Sequence, residues 1–95
     1  MKIVKIDLTG CKYTGQLHDI LSAALDFPSW YGRNWSALYD LMSTEVDVDK
    51  IIITGENTLP DSMNDDIKMM HKIFDKAAEF HKKLGWSPLF YEVID

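Results

Sequence analysis

The sequence predicts an α/β fold: a small three-stranded parallel sheet packed with three to four helices, as one domain over residues 1–95. Three observations carry this reading. Residues 2–8, 51–53 and 89–94 are rich in β-branched, aromatic or other apolar residues, as strands are. The intervening segments show the period of about 3.6 residues that marks one-sided helices. Strands joined by helical crossovers pair in parallel, with right-handed connections. A chain of 95 residues has room for one core.

In the first strand Val4, Ile6 and Leu8 share a face at period two, and Thr9-Gly10 ends it. Thr14 opens a helix with Leu17, Ile20, Leu21, Ala24 and Leu25 on one stripe. Asp26-Phe27-Pro28 stops it, because a residue preceding proline is steered out of helical geometry. On this projection His18 and Asp19 fall on the wet side. Asn34 is a suitable N-cap for a second helix, which turns Trp35, Leu38, Leu41 and Met42 to the core and ends near Ser43-Thr44. The short run Ile51-Ile52-Ile53 is the expected central strand, covered on both faces. Residues 55–62 read as a loop that can hold a short helical turn. Ser62-Met63-Asn64-Asp65 has the spacing of a capping box at the start of the longest helix. That helix runs along Ile67, Met70, Phe74, Ala77, His81 and Leu84, and Gly85 stops it. Pro88 precedes the last strand, Leu89–Ile94.

Fifteen acids against ten bases give a formal net charge of -5. Phosphate binding needs clustered positive charge, so nucleic acid is not the expected partner and a basic macromolecule is. The surplus is local: residues 45–66 hold seven acids and only Lys50, residues 1–44 balance, and the long helix is net +3. Such a run is usually a solvated face, with steering of a basic partner as an added effect. One cysteine, Cys11, forms no internal disulfide, and no stretch approaches the roughly 18 apolar residues of a membrane span. The expectation is a cytoplasmic protein, monomeric when free, without membrane association.

Sites for chemistry are scarce. The glycine-rich phosphate loops are missing, so no cofactor is expected. His18, His71 and His81 do not have metal-ligand spacing, and no metal is expected. Cys11 has Lys12 beside it but no nearby histidine, so a buried spectator thiol is the expectation. The acid pairs Asp47/Asp49 and Asp65/Asp66 sit at loop and helix ends, where solvation and the helix dipole account for them. The chain is therefore not expected to be an enzyme. Residues 28–40 stand out, because Trp30, Tyr31, Trp35 and Tyr39 fall within ten residues. With Trp35, Leu38 and Leu41 inside, Ser36, Tyr39, Asp40 and Ser43 face water, and Trp30 and Tyr31 border that face. Rigid aromatics around a carboxylate have the composition of a protein-interface hot spot. Composition weighs equally the alternative that Trp30 or Tyr31 tucks under the loop.

The run Trp30-Tyr31-Gly32-Arg33-Asn34-Trp35-Ser36-Ala37-Leu38-Tyr39-Asp40, preceded by Leu17-His18 and Pro28, resembles the [WY]-Y-G-x-N-x-x-A-L-x-D signature of the barstar family. Those are bacterial cytoplasmic inhibitors of small ribonucleases such as barnase. The resemblance implies a barstar-like fold and a role as ribonuclease inhibitor, immunity protein or antitoxin. It also implies a basic ribonuclease or nuclease-like toxin as partner. By the same resemblance Trp30 and Tyr31 match the aromatics of the inhibitory loop, Gly32 permits its turn, and Asn34 is cap and contact. Ala37 and Leu38 form the motif's spacer, Tyr39 is the exposed aromatic, and Asp40 takes the place of a substrate phosphate. Ser36 stands where barstar has a second acid, Arg33 adds a positive charge to the loop, and Lys76 lies about where barstar has a contacting glutamate, with Glu79 a weak substitute. Two alternatives are a small acidic regulatory domain for a non-nuclease partner, and a small hydrolase using Asp40 with His18 or His71.

Overall fold

Three parallel strands, β1 (Ile3–Asp7), β2 (Lys50–Thr54) and β3 (Phe90–Ile94), form one sheet with β2 at its centre. The computed structural model describes residues 2–94. Two helices, α1 (Thr14–Leu25) and α2 (Trp35–Thr44), connect β1 to β2, and the long helix α3 (Asn64–Lys83) connects β2 to β3. The expected order of elements is the observed one.

The sheet register fixes which residues meet the helices. Val4 pairs with Ile51 and Ile51 with Tyr91; Ile6 pairs with Ile53 and Ile53 with Val93. Ile6, Ile51 and Ile53 are fully buried, with Leu17 and Leu21 of α1, Leu38 and Met42 of α2, and Met70, Phe74 and Ala77 of α3. The other face is open. Ile52 is only half-buried between Lys5 and Glu92, Lys50 bridges Glu92 at 3.1 Å, and Ile3 and Phe90 are exposed. The expectation that β2 is covered on both faces is therefore corrected. With strands in chain order, both right-handed crossovers step the same way and leave their helices on one side.

Helix ends follow local chemistry, with one exception. Asp26 closes α1 in the left-handed region at φ 55°, and its amide donates to the Ser22 carbonyl. Gly85, at φ 72°, lets the chain leave α3 by a turn that a side chain would strain. The stripe of α3 closes at His81, whose Nε2 donates to the carbonyls of Met42 and Ser43 at 3.0 and 3.1 Å. Leu84, one turn further and past the end of α2, is exposed and not part of the core. The exception is the capping box. Residues Glu56–Thr58 and Asp61–Met63 form two 3-10 turns, so Ser62 lies inside the second and caps nothing. Asp65 and Asp66 supply negative charge to the first turn instead, and Asp66 accepts the Thr14 hydroxyl at 2.8 Å.

Candidate protein-binding site

Helices α2 and α3 pack side by side, and between them runs an open groove of about 670 Å³. From α2 it is lined by Trp35, Ser36, Tyr39 and Asp40, and from α3 by Met69, Lys72, Ile73 and Lys76. The spacing explains the lining. Residues 69, 72, 73 and 76 are i, i+3, i+4 and i+7 and so share one flank of α3, while 36, 39 and 40 do the same on α2. Asp40 and Ser36 are exposed and Tyr39 is half-buried. Trp35, expected in the core, is half-buried and divides its ring between core and groove wall. Glu79 does not belong here. It lines a separate groove with Asp75, Ala78 and Trp86 on the far flank of α3. Ser43 is buried rather than wet, because the C-terminal half of α3 lies over the end of α2, and among the described residues its hydroxyl has no partner.

The loop before α2 splits the two aromatics. Trp30 is 73% exposed, whereas Tyr31 is buried at 7%. The Tyr31 ring lies 4.8 Å from Phe27, and its hydroxyl is 2.7 Å from Nδ1 of His18. His18 is itself buried, contrary to the expected wet side, and its ring sits 4.6 Å from Trp35. Burial pushes the Tyr31 hydroxyl up to about 12, so it stays protonated and available for the bond. Burial, and then the nearby Arg33 charge, hold the His18 imidazole below its ordinary value, so it stays neutral. One sequence signal pointed to His18: with Leu21 and Leu25 it forms an i, i+3, i+7 stripe beside that of Leu17.

Arg33 is the loop residue with unusual backbone, at φ 53°, and Gly32 is not. At Gly32 space is tight: a Cβ there would stand 3.1 Å from Nδ2 of Asn34, so the capping amide would have to shift by a few tenths of an ångström, and an ordinary 3.5 Å from the Ala37 Cβ. The Arg33 guanidinium reaches back to α1, meeting Asp19 at 3.0 Å and donating to the Gly15 carbonyl at 3.0 Å. Its charge is thus answered within the fold. Asn34 caps α2 as expected, accepting from the Ala37 amide at 2.8 Å while its Nδ2 donates to the Gly32 carbonyl at 3.2 Å.

Elsewhere several ionisable groups are employed in the fold. Asp49 accepts the Lys2 amide at 2.6 Å, and Glu56 pairs with His71 at 2.7 Å, so part of the acidic run 45–66 holds structure together. Cys11 is buried, and that burial pushes its thiol up, away from the reactive thiolate. Among the described residues no three His, Cys, Asp or Glu side chains are placed to hold a metal ion, and no helix is long and apolar enough to cross a membrane.

The family model described as "Barstar (barnase inhibitor)" matches residues 1–90. A Bacillus subtilis (strain 168) protein named "Putative ribonuclease inhibitor YrdF" is 40% identical over 55 residues, covering 54% of this chain and 60% of that protein. The chain thus spans about 60% of the length of the curated relative it matches. The family model, by contrast, takes in β1, β2, the loop and both groove helices and stops at the first residue of β3; the chain belongs to the barstar family, whose members are inhibitors and not enzymes.

Proposed function

We propose that this chain inhibits a ribonuclease by seating the Trp30 loop and the α2–α3 groove over the enzyme's active site. The observation that carries the reading is Asp40, an exposed carboxylate that makes no side-chain hydrogen bond or ion pair among the described residues. A ribonuclease holds phosphate with Arg, Lys or His, and a carboxylate presented to that pocket gains charge-assisted hydrogen bonds in a site the complex has dried. Trp30 and Tyr39 supply apolar contact around it, Ser36, Ala37 and Asn34 shape the approach, and no chemistry is required of the inhibitor. Tyr31, Gly32 and Arg33 serve this surface by holding the loop. The biological role is that of an immunity protein or antitoxin protecting the cytoplasm of the cell that makes the nuclease.

The test is inhibition of RNA cleavage by the ribonuclease that the tagged chain captures from its native organism. Asp40→Ala is expected to fold normally and to weaken inhibition by about 30-fold, the equivalent of a 2 kcal/mol hot spot. Inhibition by Asp40→Ala equal to that of the unaltered chain would overturn the assignment.

A further inference from the structure

The face of the sheet that the helices leave open carries apolar groups and charges in a fixed pattern. The register sets it in rows across the strands: Ile3 stands beside Lys50 and Lys50 beside Phe90, then Lys5 beside Ile52 and Ile52 beside Glu92. Ile3 and Phe90 are exposed, and Ile52 is half-buried at the centre. The charges lie left against right. Lys5, on one edge strand, has no ion-pair partner among the described residues, whereas Glu92, on the other, is met by Lys50 at 3.1 Å. Base and acid thus stand at equal distances from the central strand, on opposite sides of it.

We propose that a second copy of the chain covers this face, packed sheet to sheet about a two-fold axis that runs along β2. Such an axis exchanges the edge strands and keeps the rows in step. It lays Lys5 over Glu92 of the second copy and Ile3 over Phe90 of the second copy, each contact made twice, and the two Ile52 side chains meet on the axis. Packed sheets lie about 10 Å apart, a gap that a lysine and a glutamate span together. The other in-plane axis, across the strands, would set Lys5 on Lys5 and Glu92 on Glu92, so charge selects the first. Lys50 is drawn toward Glu92 of its own chain and hence away from the axis, which leaves Glu92 between two ammonium groups. Asp7 comes opposite Ile94 at the end of the sheet, where its carboxylate stays in water and is held by the Thr9 amide at 3.0 Å. A partner of one charge sign would leave half of this pattern unanswered, whereas a second copy answers it. The face measures about 17 by 14 Å, well short of the roughly 800 Å² per partner of a stable complex, so the dimer is weak and the expected monomer is the dilute form. All three helices lie behind the sheet, and both copies keep the α2–α3 groove open. The proposal is therefore independent of the inhibitor reading.

The test is sedimentation equilibrium of the full chain up to about 1 mM, with thermal melts to confirm that each variant is folded. The mass should rise from one chain toward two, with half-association at roughly 0.1–1 mM. Lys5→Glu and Glu92→Lys should each weaken association at least about tenfold, because each sets like charges opposite one another twice. Mixing these two variants should restore it, since the new acid at position 5 then meets the new base at position 92. Ile3→Ser, which leaves the Lys50–Glu92 bridge intact, should also weaken association. Leu84→Ser, at an exposed position past the end of α3 and off the sheet, should not. The mass of one chain at every concentration would overturn the proposal. So would association that survives Lys5→Glu and Ile3→Ser, a mixture that stays monomeric, or a loss confined to Leu84→Ser.

Discussion

The corner where α1 meets the loop and the groove between α2 and α3 lie on either side of Trp35, and they treat polar groups in opposite ways. In the corner nearly every polar side chain has a partner: Tyr31 with His18, Arg33 with Asp19 and Gly15, Asn34 with Ala37 and Gly32. In the groove the charges Asp40, Lys72 and Lys76 have no ion-pair partner among the described residues. The difference is that between a scaffold and a contact surface. Fixing the loop within the free protein lowers the ordering entropy that binding must otherwise overcome, and leaving the groove charges free reserves their hydrogen bonds for the partner. A change in the corner should therefore be felt first as stability, and a change in the groove first as affinity.

The sharpest way to break this division is at the adjacent aromatics. Tyr31→Ala empties a buried site among Phe27 and His18 and should cost about 3–5 kcal/mol in urea denaturation, as large-to-small core changes do. Trp30→Ala, at a position 73% exposed, should stay within about 0.5 kcal/mol of the parent while weakening ribonuclease inhibition. Equal losses of stability in the two variants would show that the loop is not divided as described. A smaller effect is expected at the boundary between the regions. Asn34→Ala removes the cap of α2 and should cost about 1 kcal/mol. Asp40→Ala and Lys76→Gln, in the same denaturation experiment, should fall within about 0.5 kcal/mol of the parent. A cap loss no larger than these would mean that α2 is held by packing alone.

The two regions also differed in how far the sequence revealed them. The groove helices were legible, because a period of 3.6 and the Asn34 cap place Ser36, Tyr39 and Asp40 on one face without reference to the rest of the chain. The corner was not. Tyr31 finds His18 across 13 residues and Arg33 finds Asp19 across 14, and no periodic pattern encodes a loop folding back onto a preceding helix. Composition weighed equally a tucked and an exposed place for the two aromatics. The sheet gives a different lesson. Three consecutive isoleucines suggested burial on both faces, yet the strand order combined with the handedness of crossovers already required one open face. There the topological rule outweighed composition, and Glu79 shows the limit of helical projection, since a shift of three residues from Lys76 moved it into another groove.

The smallest effect should be a pH dependence confined to the corner, close to nothing at pH 7 and growing on acidification. His18 is neutral in the folded protein, with its pKa depressed first by burial and then by Arg33. In the unfolded chain it titrates near the ordinary value of about 6.5. As pH falls, the unfolded chain takes up this proton first, which favours unfolding. The contribution of His18 is therefore fully present above about pH 6.5 and is lost progressively as pH drops from there through the lower folded value. Urea denaturation between pH 7.5 and 5.0 should show stability falling in the parent protein. In His18→Gln, which has no titrating group at this position, the fall should be shallower. Parallel slopes in the parent and His18→Gln would show that the imidazole is not held neutral against the loop, and would leave Tyr31 anchored by its ring packing alone.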